Sequence, residues 1–277
     1  MIPFILYTKF FCRPSHAIDG IEIFGSPCAF QHPSSLQKEI EALTVASRDN
    51  SPCAELISAI RLHDIDKVRA LAPLAATGES NGQTPLVAAV RERRVDLAKA
   101  ILPHCDPRHA NAHGHTALMF AALQDTRCMV DLLLPVSDAD AVNARGETAL
   151  MFAAEFGYIT CIESLLGASN PDIQNKKGLT ALMKAIAPET LARHSWWARL
   201  NIVELLAPRS NLNLQDEDGW TALIHSTQVP AWDVFDLLAK GTDMELKNSF
   251  GDTALDLVYQ YDDEIGARVE AGGTAND

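Results

Sequence analysis

The chain has 277 residues, 47% of them apolar, so its composition allows a substantial buried core in one large domain or two small ones. Its 23 Lys/Arg against 36 Asp/Glu leave a formal charge of −13, which argues against a nucleic-acid partner because phosphate binding needs a basic patch. From Asp216 to Asp277 there are 14 acidic residues and 3 basic ones, so most of the imbalance lies in the last quarter. The cysteines (Cys12, Cys28, Cys53, Cys105, Cys128 and Cys161) include no C-x-x-C pair. A chain this rich in apolar residues needs no staples, so they are read as reduced thiols of a cytoplasmic protein.

In chain order, residues 1–50 show no repeat and are expected to be loop or disorder with one amphipathic helix, Ser35 to Ala46, presenting Leu36, Ile40 and Leu43 on one face. The apolar start, Met1 to Cys12, lacks a basic n-region and is interrupted by Lys9, so it is not read as a signal peptide. No stretch approaches the roughly 20 apolar residues of a membrane span. Ala54 to Ala72 predicts a helix–turn–helix with its turn at His63-Asp64-Ile65-Asp66. Then a signature begins: GQTPL at Gly82, GHTAL at Gly114, GETAL at Gly146, GLTAL at Gly178, GWTAL at Gly219 and GDTAL at Gly251. The spacings are 32, 32, 32, 41 and 32 residues. The glycines suit turns with positive φ. Thr84, Thr116, Thr148, Thr180, Thr221 and Thr253 stand where a hydroxyl caps a helix. Ala pairs allow close helix approach, and Leu pairs (Leu132-Leu133, Leu165-Leu166, Leu205-Leu206) fill the core.

These units resemble the ankyrin repeat, whose consensus runs G-x-T-P-L-H-x-A-A, a turn, V-x-x-L-L and a returning loop; the resemblance covers roughly residues 53 to 270. It implies an all-α solenoid of stacked helix–turn–helix units with short hairpin-like loops, about seven units including degenerate caps. The expected domain runs over 51–272, with units starting near 81, 113, 145, 177, 218 and 250 and a disordered tail at 273–277. Val87, Met119, Met151, Met183, Ile224 and Asp256 replace the consensus His, so its tie between neighbouring turns is expected to be apolar or absent. The TALM-x-A wording is similar to ankyrin-only proteins abundant in some protozoan parasites.

The 41-residue spacing marks an insertion at about 188–200, PETLARHSWWARL. Aligning Leu165-Leu166 with Leu205-Leu206 puts eight extra residues between the two helices and one in the following loop. Trp196-Trp197 is a pair in which one ring is expected to fold back onto the helices, with a partner anchor as the alternative. Asp262-Asp263-Glu264 fits a capping unit whose outer face meets water. His104, Cys105, Asp106, His109, His113 and His115 are metal-ligand types, but a flattened hairpin loop splays them, so they are read as exposed loop residues and no metal is expected.

Kinase, P-loop, nucleophile-elbow and H-E-x-x-H motifs are missing from the sequence, so no catalytic residue and no cofactor are expected. The resemblance implies protein binding through a concave face of fingertips and first helices. The residue between Gly and Thr is expected to be exposed there: Gln83, His115, Glu147, Leu179, Trp220 and Asp252. Beside it stand the fingertip residues Asn81, His113, Arg145, Lys177, Asp218 and Phe250 and the first-helix ends Arg91, Gln124 and Phe156. The expected function is a monomeric scaffold or adaptor for a protein partner, with neither nucleic acid nor membrane. A fragment or degenerate relative of an ankyrin–kinase fusion and a secreted ankyrin effector are the alternatives. The acidic last quarter favours a partner with a basic patch.

Overall fold

A computed structural model describes residues 51–80, 82–187, 196–228 and 232–261. The extension over 1–50 with its expected helix, the fingertip Asn81, most of the insertion and the acidic Asp262-Asp263-Glu264 lie outside them.

The described residues form six helix pairs and a final single helix: α1 (Pro52–Arg61) with α2 (Ile65–Ala75), α3 (Pro85–Arg91) with α4 (Val95–Ile101), α5 (Ala117–Leu123) with α6 (Arg127–Leu133), α7 (Ala149–Phe156) with α8 (Ile159–Leu165), α9 (Ala181–Ile186) with α10 (Trp196–Leu206), α11 (Ala222–Ser226) with α12 (Trp232–Ala239), then α13 (Ala254–Tyr261). Odd-numbered helices stack on one another in chain order, and even-numbered helices stack behind them. The turn of the first pair sits earlier than its sequence suggests. Helix α2 already begins at Ile65, because the Asp64 carboxylate accepts from the Lys67 N–H at 3.0 Å and His63 absorbs the reversal at φ 60°.

Each later first helix starts the same way. The Thr hydroxyl accepts the backbone N–H three residues on, at 3.2 Å for Thr84, Thr148 and Thr221 and 3.3 Å for Thr116 and Thr180. At α13 the cap is reciprocal: Asp256 donates its N–H to the Thr253 hydroxyl while its carboxylate accepts from the Thr253 N–H at 2.8 Å. That capping box explains why an acid stands at Asp256. Each α5 and α7 helix buries Leu, Met and an Ala pair on three sides, because helices of two neighbouring units press on it.

The second helices set the register of the insertion. Their deepest residues are Leu97, Ala98 and Ile101; Met129, Val130 and Leu133; Cys161, Ile162 and Leu165; Ile202, Val203 and Leu206; and Val234, Phe235 and Leu238. Leu206 therefore corresponds to Leu165, and Leu205 is only half-buried. All the extra residues of the 41-residue unit lie between α9 and the part of α10 that matches α8, correcting the division that placed one in the following loop. The Leu-Leu pair hides this, since either leucine satisfies the pattern. Helix α10 has 11 residues where α8 has 7, and its added N-terminal turn carries Trp197 and Arg199. Trp197 is 58% exposed, whereas Arg199 is 2% exposed.

Candidate functional site

The loops between helix pairs meet at a row of fingertips along one edge of the stack. Their shape comes from a residue the six-fold signature does not contain. Three positions before every signature glycine after Gly82, which has Glu79 there, stands an Asn or Asp: Asn111, Asn143, Asn175, Asp216 and Asn248. In every case one side-chain oxygen accepts two backbone N–H groups of its own turn, two and four residues on. Examples are Arg145 and Glu147 onto Asn143 at 2.8 and 2.9 Å, and Asp218 and Trp220 onto Asp216 at 3.0 and 2.8 Å. The other three do the same. The N-x-x-G or D-x-x-G wording was available as a sequence signal.

Adjacent fingertips are joined through the backbone. Ala144, Lys176, Glu217 and Ser249 donate their N–H groups to the carbonyls of His113, Arg145, Lys177 and Asp218 at 2.9, 2.9, 3.0 and 2.9 Å. This contact requires glycine beside it. Gly178 has φ +75°, and a Cβ there would stand 2.6 Å from the Asp216 Cα. The tie between neighbouring turns is therefore polar, against the expectation of an apolar or absent one. Gln174 and Gln215 reinforce it, each bridging its own turn and the next: Gln174 Nε2 donates to the carbonyls of Gly178 and Gln215 at 2.7 and 2.8 Å. Gln215 repeats this with Gly219 and Lys247. Met119, Met151 and Met183, at the place of the consensus His, are buried in the stack instead.

The fingertip residues His113, Arg145, Lys177, Asp218 and Phe250 are exposed, Phe250 at 78%. The adjoining ladder is not. His115 and Glu147 are each 6% exposed, and Gln83, Leu179, Trp220 and Asp252 are half-buried. The expectation that the position between Gly and Thr faces solvent is corrected here, and the reason is contact with the next first helix. The His115 ring lies 5.7 and 5.8 Å from the rings of Phe120 and Phe152, with Nε2 3.2 Å from Asn143 Nδ2. Burial, and after it the Arg145 charge, hold its pKa below the usual imidazole value.

Glu147 anchors a network across two units. Its carboxylate receives Lys184 Nζ at 2.6 Å, Asn143 Nδ2 at 3.0 Å and Arg145 Nε at 3.1 Å, and Lys184 also meets Glu155 at 2.6 Å. Burial pushes the Glu147 carboxyl up, but the Lys184 charge and these hydrogen bonds hold it below the usual range. A second pair lies towards the C-terminus. His225 Nε2 is 2.9 Å from Asp216 Oδ2, and the Trp220 ring is 5.3 Å from the His225 ring. Asp216 is raised by burial and lowered more by His225 and by the N–H groups of its turn, with a net depression. Phe156 is half-buried and stacked on Tyr158 at 5.9 Å. Arg91 is exposed, and Gln124, half-buried, accepts from Arg93 through its carbonyl.

The histidine-rich loop does not converge. Among the described residues no group of three His, Cys, Asp or Glu could hold a metal ion. His109 faces Glu79 at 3.7 Å, while His115 is turned into the stack rather than lying in the loop as expected. Cys105 is pushed up to about 11 by burial and by Asp106, and Cys161 up to about 12 by burial and by Asp125, so both are thiols at neutral pH. Cys53, Cys105, Cys128 and Cys161 form no disulfide. Among the described residues no helix is long and apolar enough to cross a membrane.

A family model described as ankyrin repeats (3 copies) matches residues 43–141, 94–173 and 119–193. Among solved structures, the ankyrin repeat domain of Bcl-3, described as a unique member of the IkappaB protein family, is similar at TM-score 0.65 and 25% identity, covering 73% of this chain and 92% of that one. EF0377, an ankyrin repeat protein, is similar at TM-score 0.62 and 25% identity, covering 68% of this chain and 98% of that one. A search among curated proteins returned no match.

Proposed function

Since the chain belongs to the ankyrin-repeat family, we propose that it is a non-catalytic module that holds a protein partner along its fingertips and the adjoining first helices. Repeats of this kind generally mediate protein–protein interaction. The observation that carries the reading is the division of labour within each turn. Asn/Asp, Gly and Thr are consumed in building the turn, whereas the side chains of His113, Lys177, Asp218 and Phe250 project from it, and Arg145 projects beside them while its Nε also reaches Glu147. An exposed phenylalanine at the end of a charged row suits an anchor in a partner's pocket. The row changes sign, from Arg145 and Lys177 to Glu217 and Asp218, so a partner with a basic patch seats over the later units and an acidic one over the middle.

In this reading the protein acts as a monomeric adaptor or scaffold in the cytoplasm and needs no cofactor, nucleic acid or membrane. Gln83, Leu179, Trp220, Asp252 and Phe156 contribute from the half-buried floor. Photo-crosslinking residues placed at Arg145, Lys177 and Phe250 should trap the same partner in cells. The same residues placed at Glu163 and Glu204, on the second helices, should not. Crosslinks that form only from the second-helix positions would sink the proposal.

A further inference from the structure

We propose that His115 and Asn143 make the joint between the Gly114 and Gly146 units sensitive to protons: a proton taken up at His115 Nε2 breaks the contact with Asn143 and loosens the two turns from each other. The device goes beyond the protein-binding reading and does not depend on what the fingertips hold.

The turn itself fixes the polarity of the contact. Asn143 Oδ1 accepts from the Arg145 and Glu147 N–H groups at 2.8 and 2.9 Å, so the other end of the amide is the nitrogen, which only donates. Turning the amide over would set its NH2 against both of those N–H groups. Asn143 Nδ2 donates to Glu147 Oε2 at 3.0 Å and to His115 Nε2 at 3.2 Å. His115 Nε2 is therefore an acceptor, and the ring carries its one proton on Nδ1. That Nδ1 is buried and has no partner among the described residues. A second proton, on Nε2, would point an N–H at an NH2 group in a place where His115 is 6% exposed.

The surroundings oppose the charge as well. The rings of Phe120 on α5 and Phe152 on α7 lie 5.7 and 5.8 Å from the imidazole. His113 in its own turn and Arg145 in the next add positive charge. Glu147 pulls the other way, but its carboxylate already receives Lys184 Nζ, Arg145 Nε and Asn143 Nδ2, and Lys184 is shared with Glu155. Burial dominates this balance and keeps the ring neutral at pH 7. A later unit shows the opposite polarity at the same turn position. Asp216 also holds its turn with one oxygen, but its Oδ2 only accepts, and it receives His225 Nε2 at 2.9 Å. One atom of the turn residue thus decides whether the neighbouring ring must accept or donate.

The joint reaches the fingertips, because the same two turns are tied by the Ala144 N–H to the His113 carbonyl at 2.9 Å. The sign follows from the neutral ring. What the joint lends to stability is complete above the ordinary imidazole value, about pH 6.5, and is lost as pH falls below it.

The test compares the full wild-type chain with two variants between about pH 7.5 and about pH 5, above the range in which ordinary carboxylates titrate. His115→Gln offers the amide an acceptor that does not titrate, and Asn143→Asp keeps the turn, as Asp216 does, while replacing the donor by an acceptor. The readouts are the NMR titration of the His115 ring and the hydrogen-exchange protection of the Ala144 amide, corrected for intrinsic rate. The Lys176 amide, which makes the same tie one unit on, is the internal reference. In the wild type His115 should titrate below the ordinary imidazole value, and Ala144 protection should fall by up to about tenfold per pH unit, the effect of one proton, with Lys176 lagging behind. His115→Gln should remove the fall, and Asn143→Asp should move the His115 titration upwards. Titration of wild-type His115 at or above the ordinary value, constant Ala144 protection, a fall that survives His115→Gln, or an unmoved titration in Asn143→Asp would overturn the proposal. If Asn143→Asp does not fold, the wild type and His115→Gln decide it between them.

Discussion

At the scale of single residues, the Glu147 network and the positive-φ glycines make the sharpest demands. Lys184→Met leaves the carboxylates of Glu147 and Glu155 without their shared cation and should cost about 3 kcal/mol, read as a lower midpoint in denaturant. Arg145 remains beside Glu147, so a loss at the lower end of the range is expected. The pH dependence has a definite sign. Glu147 and Asp216 titrate below their unfolded values, so the stability they lend is present above the ordinary carboxylate range and is lost as pH falls through their depressed values. Glu147→Gln should therefore flatten the fall in stability on acidification below about pH 5, and an unchanged slope would contradict the assignment. Gly178→Ala meets both a left-handed backbone and the Asp216 Cα at 2.6 Å, whereas Gly251→Ala meets only the backbone penalty, with φ +89° and open space. Thermal melts should show about 1 kcal/mol lost at Gly251 and clearly more at Gly178.

At the scale of elements, the letters that build the stack were readable because each acts locally. Thr caps the helix it precedes, and Gly turns the chain at its own position, so one repeat's sequence suffices to assign them. What lies between Gly and Thr was not readable. His115 is buried by Phe152 and Asn143, and Glu147 by Lys184, residues of the following unit that meet them only once the stack has formed. The hairpin Asn/Asp acts locally too and could have been read, but it stands outside the six-fold signature. The register of the second helix after the insertion was missed by one residue, since Leu205 and Leu206 are alike until one of them faces the core. Helix α10 also carries a feature no pattern announces. Arg199 is buried, with Nε and Nη2 unpaired among the described residues, and burial lowers its pKa. Arg199→Met should raise the melting temperature, as replacing buried charge by apolar volume often adds about 1–4 kcal/mol. A fall would show that the guanidinium is held by something other than the described residues.

At the scale of the whole molecule, a stack in which each unit touches only its neighbours separates stability from recognition. Core and turn residues set how well each unit docks on the next. Side chains projecting from the fingertips can change with little effect on the fold, because surface substitutions away from such contacts shift stability by only about 0.5 kcal/mol. The account therefore makes a claim about the entire edge: partner choice is written in His113, Arg145, Lys177, Asp218 and Phe250. The most direct measurement is quantitative proximity labelling in cells with the wild-type chain and a variant carrying H113E, K177E, D218K and F250S. The account predicts an unchanged melting temperature and the loss of the principal labelled partner. The same partner recovered at the same level by a folded variant would contradict it.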